Sequence, residues 1–71
     1  MDSYHIVHHH RRNKHWSVVK SGTKRAFRVY RSKLKAISEG IKLGKTKGRD
    51  VYLHRRDGTI AGKIYEAKEV K

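Results

Sequence analysis

The sequence predicts a single α+β domain of order βββαββ, in which one antiparallel sheet packs on one helix. Three observations lead to this prediction. The chain has 71 residues, which is the length of one small domain. Short apolar clusters alternate with polar residues, as they do in half-buried strands. One longer segment, which follows Ser32, repeats its apolar residues with the period of a helix instead.

Five segments have the pattern of strands. We predict them at residues 4–9, 15–20, 26–30, 50–56 and 59–65. The short connections between the first three favour an antiparallel meander. The pair Asp57-Gly58 predicts a hairpin between the last two, because glycine accepts the positive φ that a two-residue turn requires.

The helix is predicted from about residue 33 to residue 46. Ser32 is suited to be its N-cap, because a serine hydroxyl accepts a hydrogen bond from an amide of the first turn. Gly48 is suited to end it. Gly40 and Gly44 fall on the apolar side, although glycine weakens a helix by about 1 kcal/mol relative to alanine. We therefore expect the helix backbone to approach the sheet closely there.

The apolar residues of these segments define a thin core. Its predicted members are Ile6, Trp16, Val18, Phe27, Val29, Ala36, Ile37, Ile41, Val51, Leu53, Ile60 and Ile64. Residues 66–71 are polar and are expected to fray. Residues 1–71 therefore form one basic domain.

The order of these motifs resembles the DUF2188 family of small bacterial and phage proteins. The resemblance rests on residues 15–20, 25–30, 35–37 and 51–60, which contain a Trp-x-Val strand, an arginine-rich strand, an Ala-Ile helix start and an Asp-Gly-x-Ile hairpin. It extends over about residues 5–62. It implies this fold and a bacterial or phage origin, and it implies no activity because the family has none assigned. The present chain differs from the pattern in its basic, histidine-rich beginning.

The charge of the chain indicates a polyanionic partner. Its formal net charge is +13, whereas solubility needs a magnitude of only about 2 to 8. No acidic residue lies between Ser3 and Ser38, and mutual repulsion of so many cations destabilises a compact domain. A surface that is basic and merely solvated is the alternative.

Two groups of residues are candidates for nucleic-acid binding. The first group comprises the cations of the two predicted turns: Arg11, Arg12, Lys14, Lys24 and Arg25. The second comprises residues that alternation assigns to the outer sheet face: Arg28, Tyr30, Tyr52, His54 and Arg56. Aromatic rings among cations on a sheet can stack on bases and contact phosphates. The alternative for the second group is that these are ordinary solvated strand residues.

The histidines and glycines do not predict a catalytic or metal site. Residues 8–10 are all histidine, but alternate residues of a strand point to opposite faces, and no carboxylate or cysteine lies nearby to complete a ligand set. Gly44-Lys45-Thr46 looks like the end of a phosphate-binding loop but lacks the earlier glycine and the preceding strand. We therefore expect no enzymatic activity, no cofactor and no metal.

The leading functional hypothesis is a nucleic-acid-binding protein that prefers duplex DNA, contacts mainly the phosphate backbone and has modest sequence specificity; RNA is the other nucleic acid considered. The alternative is a small phage or bacterial effector that binds an acidic surface of a host protein, since charge steering serves that equally well. The chain has no cysteine, no apolar run of the ~20 residues that a membrane span needs and no signal-peptide apolar region. We expect a cytoplasmic monomer or weak homodimer with no membrane partner.

Overall fold

A computed structural model of the protein describes residues 3–9, 15–22 and 26–67. Its elements are β1 (Tyr4–His9), β2 (His15–Lys20), β3 (Ala26–Tyr30), α1 (Lys33–Lys47), β4 (Val51–His54) and β5 (Ile60–Tyr65). The α+β class and the order βββαββ are therefore confirmed.

The five strands form one sheet in the order β3-β2-β1-β4-β5, with β1 at its centre. Three of the pairings are antiparallel, but β1 and β4 run parallel. The sheet is thus mixed and not purely antiparallel as predicted. The reason is topological: α1 carries the chain back across the sheet from β3, so β4 runs in the direction of β3 and therefore of β1.

The core lies between α1 and one face of the sheet. Its buried apolar residues are Tyr4, Ile6, Trp16, Val18, Ala36 and Val51, and Tyr30, Ile37, Leu43, Leu53, Ile64 and Tyr65 pack against them while partly exposed. Most of the predicted core is confirmed. Tyr4, Tyr30 and Tyr65 were not predicted, because a tyrosine hydroxyl at the core boundary leaves no apolar signal in the sequence.

Strand β3 faces the opposite way from the prediction. Val18 is paired with Arg28 and Trp16 with Tyr30, which places Arg28 and Tyr30 on the helix side of the sheet. Val29 is consequently 56% exposed, and Phe27, whose side chain lies outside the described residues, was predicted on the same face as Val29. Alternation shows which residues share a face, but it does not show which face is buried.

Two further core assignments are corrected. Ile60 is 53% exposed, because the β4–β5 pairing is irregular between Leu53 and His54. Ile41 is half-buried and lies at the margin of the core, since it sits beside Lys42 and Lys45 along a shallow surface groove.

The ends of α1 follow the predicted signals. The Ser32 hydroxyl accepts a hydrogen bond from the Lys35 amide at 3.2 Å. Gly48 adopts a left-handed conformation with φ of 66°, and the Arg49 amide donates to the Gly44 carbonyl at 2.9 Å. These contacts satisfy backbone groups that a helix end otherwise leaves without partners. No helix among the described residues is long and apolar enough to cross a membrane.

The hairpin between β4 and β5 is present, but residues 55–59 form a longer loop than the predicted two-residue turn. Gly58 has a φ of 94°, which explains the need for glycine. The Asp57 carboxylate accepts hydrogen bonds from the Thr59 amide at 3.0 Å and from the Thr59 hydroxyl at 2.7 Å. These bonds lower the pKa of Asp57 and fix the loop.

Candidate nucleic-acid interface

A groove of about 480 Å³ runs between α1 and the edge strand β3. Its apolar lining comes from Val18 and Leu43, and its polar lining comes from Arg28, Tyr30, Glu39, Lys42 and Thr46. A volume of this size falls within the range of roughly 300–1,000 Å³ that small-molecule sites occupy. The groove therefore combines an apolar interior with charged and hydroxyl groups.

The secondary structure determines which side chains meet in this groove. On β3, Arg28 and Tyr30 are two residues apart and project to the same side of the sheet. On α1, the lining residues are spaced three, four and seven positions after Glu39, which is the spacing of one helix face. One face of α1 and the helix-side residues of the edge strand β3 therefore form the two walls of the groove.

The acidic residues of the described chain are occupied by nearby partners. Glu39 lies 3.5 Å from Lys35. The Asp50 carboxylate accepts a hydrogen bond from the Ala67 amide at 2.8 Å and lies 3.4 Å from the Lys63 ammonium. Both contacts lower the pKa of Asp50, the amide contributing most, and the bond to Asp50 raises the pKa of Lys63. Glu66 also lies near Lys63, at 3.8 Å.

This pairing leaves the groove cations available to an anion. Within the described ranges, no carboxylate forms an ion pair with Arg28 or Lys42, and both side chains are exposed. Other exposed cations of α1 and of the segment before it are Arg31, Lys45 and Lys47. Lys35 is partly neutralised by Glu39, although an exposed pair of this kind contributes only about 0–1 kcal/mol.

Within the described part of the chain no helix covers the opposite face of the sheet, which is rich in imidazole. His5 stacks on Tyr52 with ring centroids 5.3 Å apart, and His9 stacks on His15 at 4.6 Å. These are cross-strand neighbours, since His5 is paired with Tyr52 and His9 with His15. The outer face therefore presents aromatic rings, whereas most described Lys and Arg side chains outside the loops lie on the helix side.

A chain of hydrogen bonds on this outer face fixes the tautomers of two histidines. His54 Nδ1 lies 3.0 Å from the Gly58 carbonyl oxygen and must donate to it. In the neutral pair, His54 Nε2 then accepts from His5 Nδ1 at 2.8 Å, and His5 Nε2 accepts from the Ser3 hydroxyl at 2.9 Å. Burial, and secondarily the nearby His54, lower the pKa of His5.

A serine–histidine contact on the same face has the composition of a catalytic dyad but not its accessibility. His9 Nε2 lies 2.7 Å from the Ser17 hydroxyl oxygen. Ser17, however, is fully buried, so a substrate cannot approach its hydroxyl as nucleophilic attack requires. Among the residues that the structure describes, no three histidine or acidic side chains come together as a metal site would need.

The structure separates the residues that the sequence placed on one face. Arg28 and Tyr30 line the groove, Tyr52 and His54 lie beside His5 on the outer face, and Arg56 lies in the exposed β4–β5 loop. The remaining candidates lie outside the described residues: Arg11, Arg12, Lys14, Lys24 and Arg25. Glu39, Lys42 and Thr46 line the groove but were not predicted as site residues; their spacing along one face of α1 was visible in the sequence, but the partner strand was not.

Comparisons with known proteins identify a family and nothing closer. The sequence model of DUF2188, described as an uncharacterized protein conserved in bacteria, matches residues 4–64. No curated protein and no solved structure matches significantly.

Proposed function

The chain belongs to the DUF2188 family of uncharacterized bacterial proteins, and we propose that this member is a non-enzymatic nucleic-acid-binding protein. It prefers duplex DNA and contacts mainly the phosphate backbone, with modest sequence specificity. The proposal places it in the cytoplasm, as a monomer or weak homodimer. The family assigns no activity, so the support comes from this chain's own surface.

The observation that carries the proposal is the excess of positive charge at the α1–β3 groove. Arg28 and Lys42 face the same groove from a strand and a helix, and within the described chain no carboxylate pairs with either. The net charge of the protein is +13. When its unpaired cations bind the phosphates of a nucleic acid, they displace condensed counterions, and the release of these ions favours binding.

The two cations have complementary roles in this proposal. An arginine guanidinium can bind one phosphate through two parallel hydrogen bonds, so Arg28 fixes the orientation of the backbone. A lysine ammonium acts as a point charge that tolerates several geometries, so Lys42 adds affinity without adding geometric selection. Contacts of this kind position a protein on a duplex but carry no sequence information, which accounts for the modest specificity.

The test is a titration of a fluorescently labelled duplex with the wild-type chain and two double variants. We expect Arg28→Ala/Lys42→Ala to weaken binding. The slope of log affinity against log salt should become less negative by about two units, roughly one for each lost contact. The matched control, Arg55→Ala/Lys47→Ala, also removes one arginine and one lysine but leaves the groove lining intact.

The control separates a defined site from general electrostatic attraction. If both double variants lose the same affinity, the nucleic acid is bound by delocalised charge and the groove is not its contact site. If the wild-type chain binds an acidic protein but no nucleic acid at low salt, the alternative of a host-protein effector replaces the proposal.

A further inference from the structure

Backbone binding does not explain the interior of the α1–β3 groove. Phosphates could be held by exposed cations on a flat surface, yet Arg28 and Lys42 border a cleft of about 480 Å³ with Val18 and Leu43 inside it. Apolar side chains offer nothing to a phosphate, but they are the usual surroundings of a planar ring. Tyr30, which packs partly exposed against the core, also lines the groove, and a nucleic-acid base could stack on its ring.

Glu39 is the second feature that backbone binding leaves unexplained. Glu39 lines the same groove as the two cations, where a carboxylate would repel a phosphate. One of its oxygens, Oε1, lies 3.5 Å from the Lys35 ammonium, and its side chain is 32% exposed, so the group is accessible. An ionised carboxylate is only an acceptor of hydrogen bonds, which makes it suited to a ligand that presents donors.

The donor pattern of the bases selects one of them. Guanine presents two adjacent donors, N1–H and the N2 amino group, on its Watson–Crick edge, and a carboxylate can accept from both. Cytosine and adenine each place an acceptor nitrogen beside their amino group, and thymine places carbonyl oxygens on both sides of its single N–H. This edge is accessible only in a nucleotide that is not base-paired.

Resting on the nucleic-acid-binding function proposed above, we propose that the α1–β3 groove binds one unpaired guanine of a bound strand. The ring lies against Tyr30 and the apolar lining, Glu39 accepts from the guanine edge, and Arg28 and Lys42 bind the flanking phosphates. Charge complementarity supports the two polar contacts, because the carboxylate meets donors and the cations meet anions, and the apolar lining suits the ring.

The experiment compares three labelled duplexes by fluorescence anisotropy: one fully paired, one with a single bulged guanosine and one with a single bulged thymidine. We expect the guanosine bulge to bind about tenfold more tightly than the other two, the order of discrimination that a good bidentate base contact supplies. Glu39→Gln should abolish this preference. The glutamine amide has only one acceptor oxygen, and its NH₂ group would face the second donor of the guanine edge.

Two controls keep the outcomes distinct. Glu66→Gln removes an equal charge from an exposed side chain that contacts Lys63 at 3.8 Å, so it should keep the guanosine preference. Circular dichroism checks that each variant is folded. Equal affinity of the wild-type chain for the three duplexes, or a preference that survives Glu39→Gln, would overturn the guanine proposal while leaving backbone binding in place. Failure to bind any duplex would overturn both.

Discussion

Substituting Gly44 tests the packing of α1 on the sheet, on which the groove depends. A β-carbon at this position would lie 2.5 Å from Val51 Cγ2 and 2.8 Å from the Arg49 carbonyl oxygen, whereas favourable carbon contacts are about 3.5–4.0 Å. Neither neighbour can yield easily. Val51 is fully buried and has a branched, stiff side chain, and the Arg49 oxygen belongs to the backbone.

Gly40 provides the matched comparison on the same helix. A β-carbon there would lie 2.9 Å from Ile6 Cδ1 and 3.3 Å from Ile6 Cγ1. Ile6 is also fully buried, but the nearest atom is its terminal methyl, which can shift by rotation about χ2, and the nearest atoms include no backbone atom. Overpacking costs about 1–3 kcal/mol, and alanine favours a helix by about 1 kcal/mol over glycine. Taking the upper end of the cost for Gly44 and the lower end for Gly40, we expect Gly44→Ala to destabilise by about 2 kcal/mol and Gly40→Ala to be nearly neutral.

Thermal unfolding followed by circular dichroism measures this difference. In a domain of this size 1 kcal/mol corresponds to roughly 4–8 °C, so Gly44→Ala should lower Tm by roughly 8–16 °C while Gly40→Ala stays within about 4 °C of wild type. Equal changes in Tm for the two variants would mean that the effect comes from helix propensity and not from contacts with the sheet. A Gly44→Ala variant as stable as wild type would refute the close approach of α1 to β4.

Three further outcomes are expected. Trp16 is 6% exposed, and Trp16→Ala should abolish cooperative unfolding, because such a truncation costs about 3–5 kcal/mol, close to the whole stability of a small domain. Replacing Arg11, Arg12 and Lys14 by alanine should reduce the magnitude of the salt slope of DNA binding by about two to three units; an unchanged slope would exclude these three residues as phosphate contacts. The pKa of His5 in the folded protein lies below its ordinary value of 6.5. The unfolded chain therefore binds more protons than the folded chain near pH 6. As the pH drops from 6.5 towards the folded pKa, the free energy of unfolding should fall. Denaturant titrations should show a smaller fall for His5→Gln, and an equal fall would assign the effect to other groups.

The order of the elements could be predicted because its signals are local. Ser32 and Gly48 mark the ends of α1 through hydrogen bonds to residues three or four positions away, and Gly58 marks a turn through its own φ. The parallel pairing of β1 with β4 could not be predicted, because it joins Tyr4 to Val51 and no local pattern encodes which strands become neighbours.

The candidate site could be predicted only in part for the same reason. Basic composition indicated an anionic partner, and Arg28 and Tyr30 were correctly grouped on one face of β3. Their combination with Glu39 and Lys42 depends on the orientation of β3, which the cross-strand pairing of Val18 with Arg28 determines. Residues of three elements form the groove, so periodicity within any single element could not reveal it.

The salt dependence of duplex DNA binding tests the central claim most directly. Wild-type protein is titrated into a labelled duplex at a series of salt concentrations, with circular dichroism confirming that it stays folded throughout. Neutralising roughly four to six phosphates predicts a slope of log affinity against log salt of about −3.6 to −5.4. No binding at low salt, or binding that does not change with salt, would contradict the account.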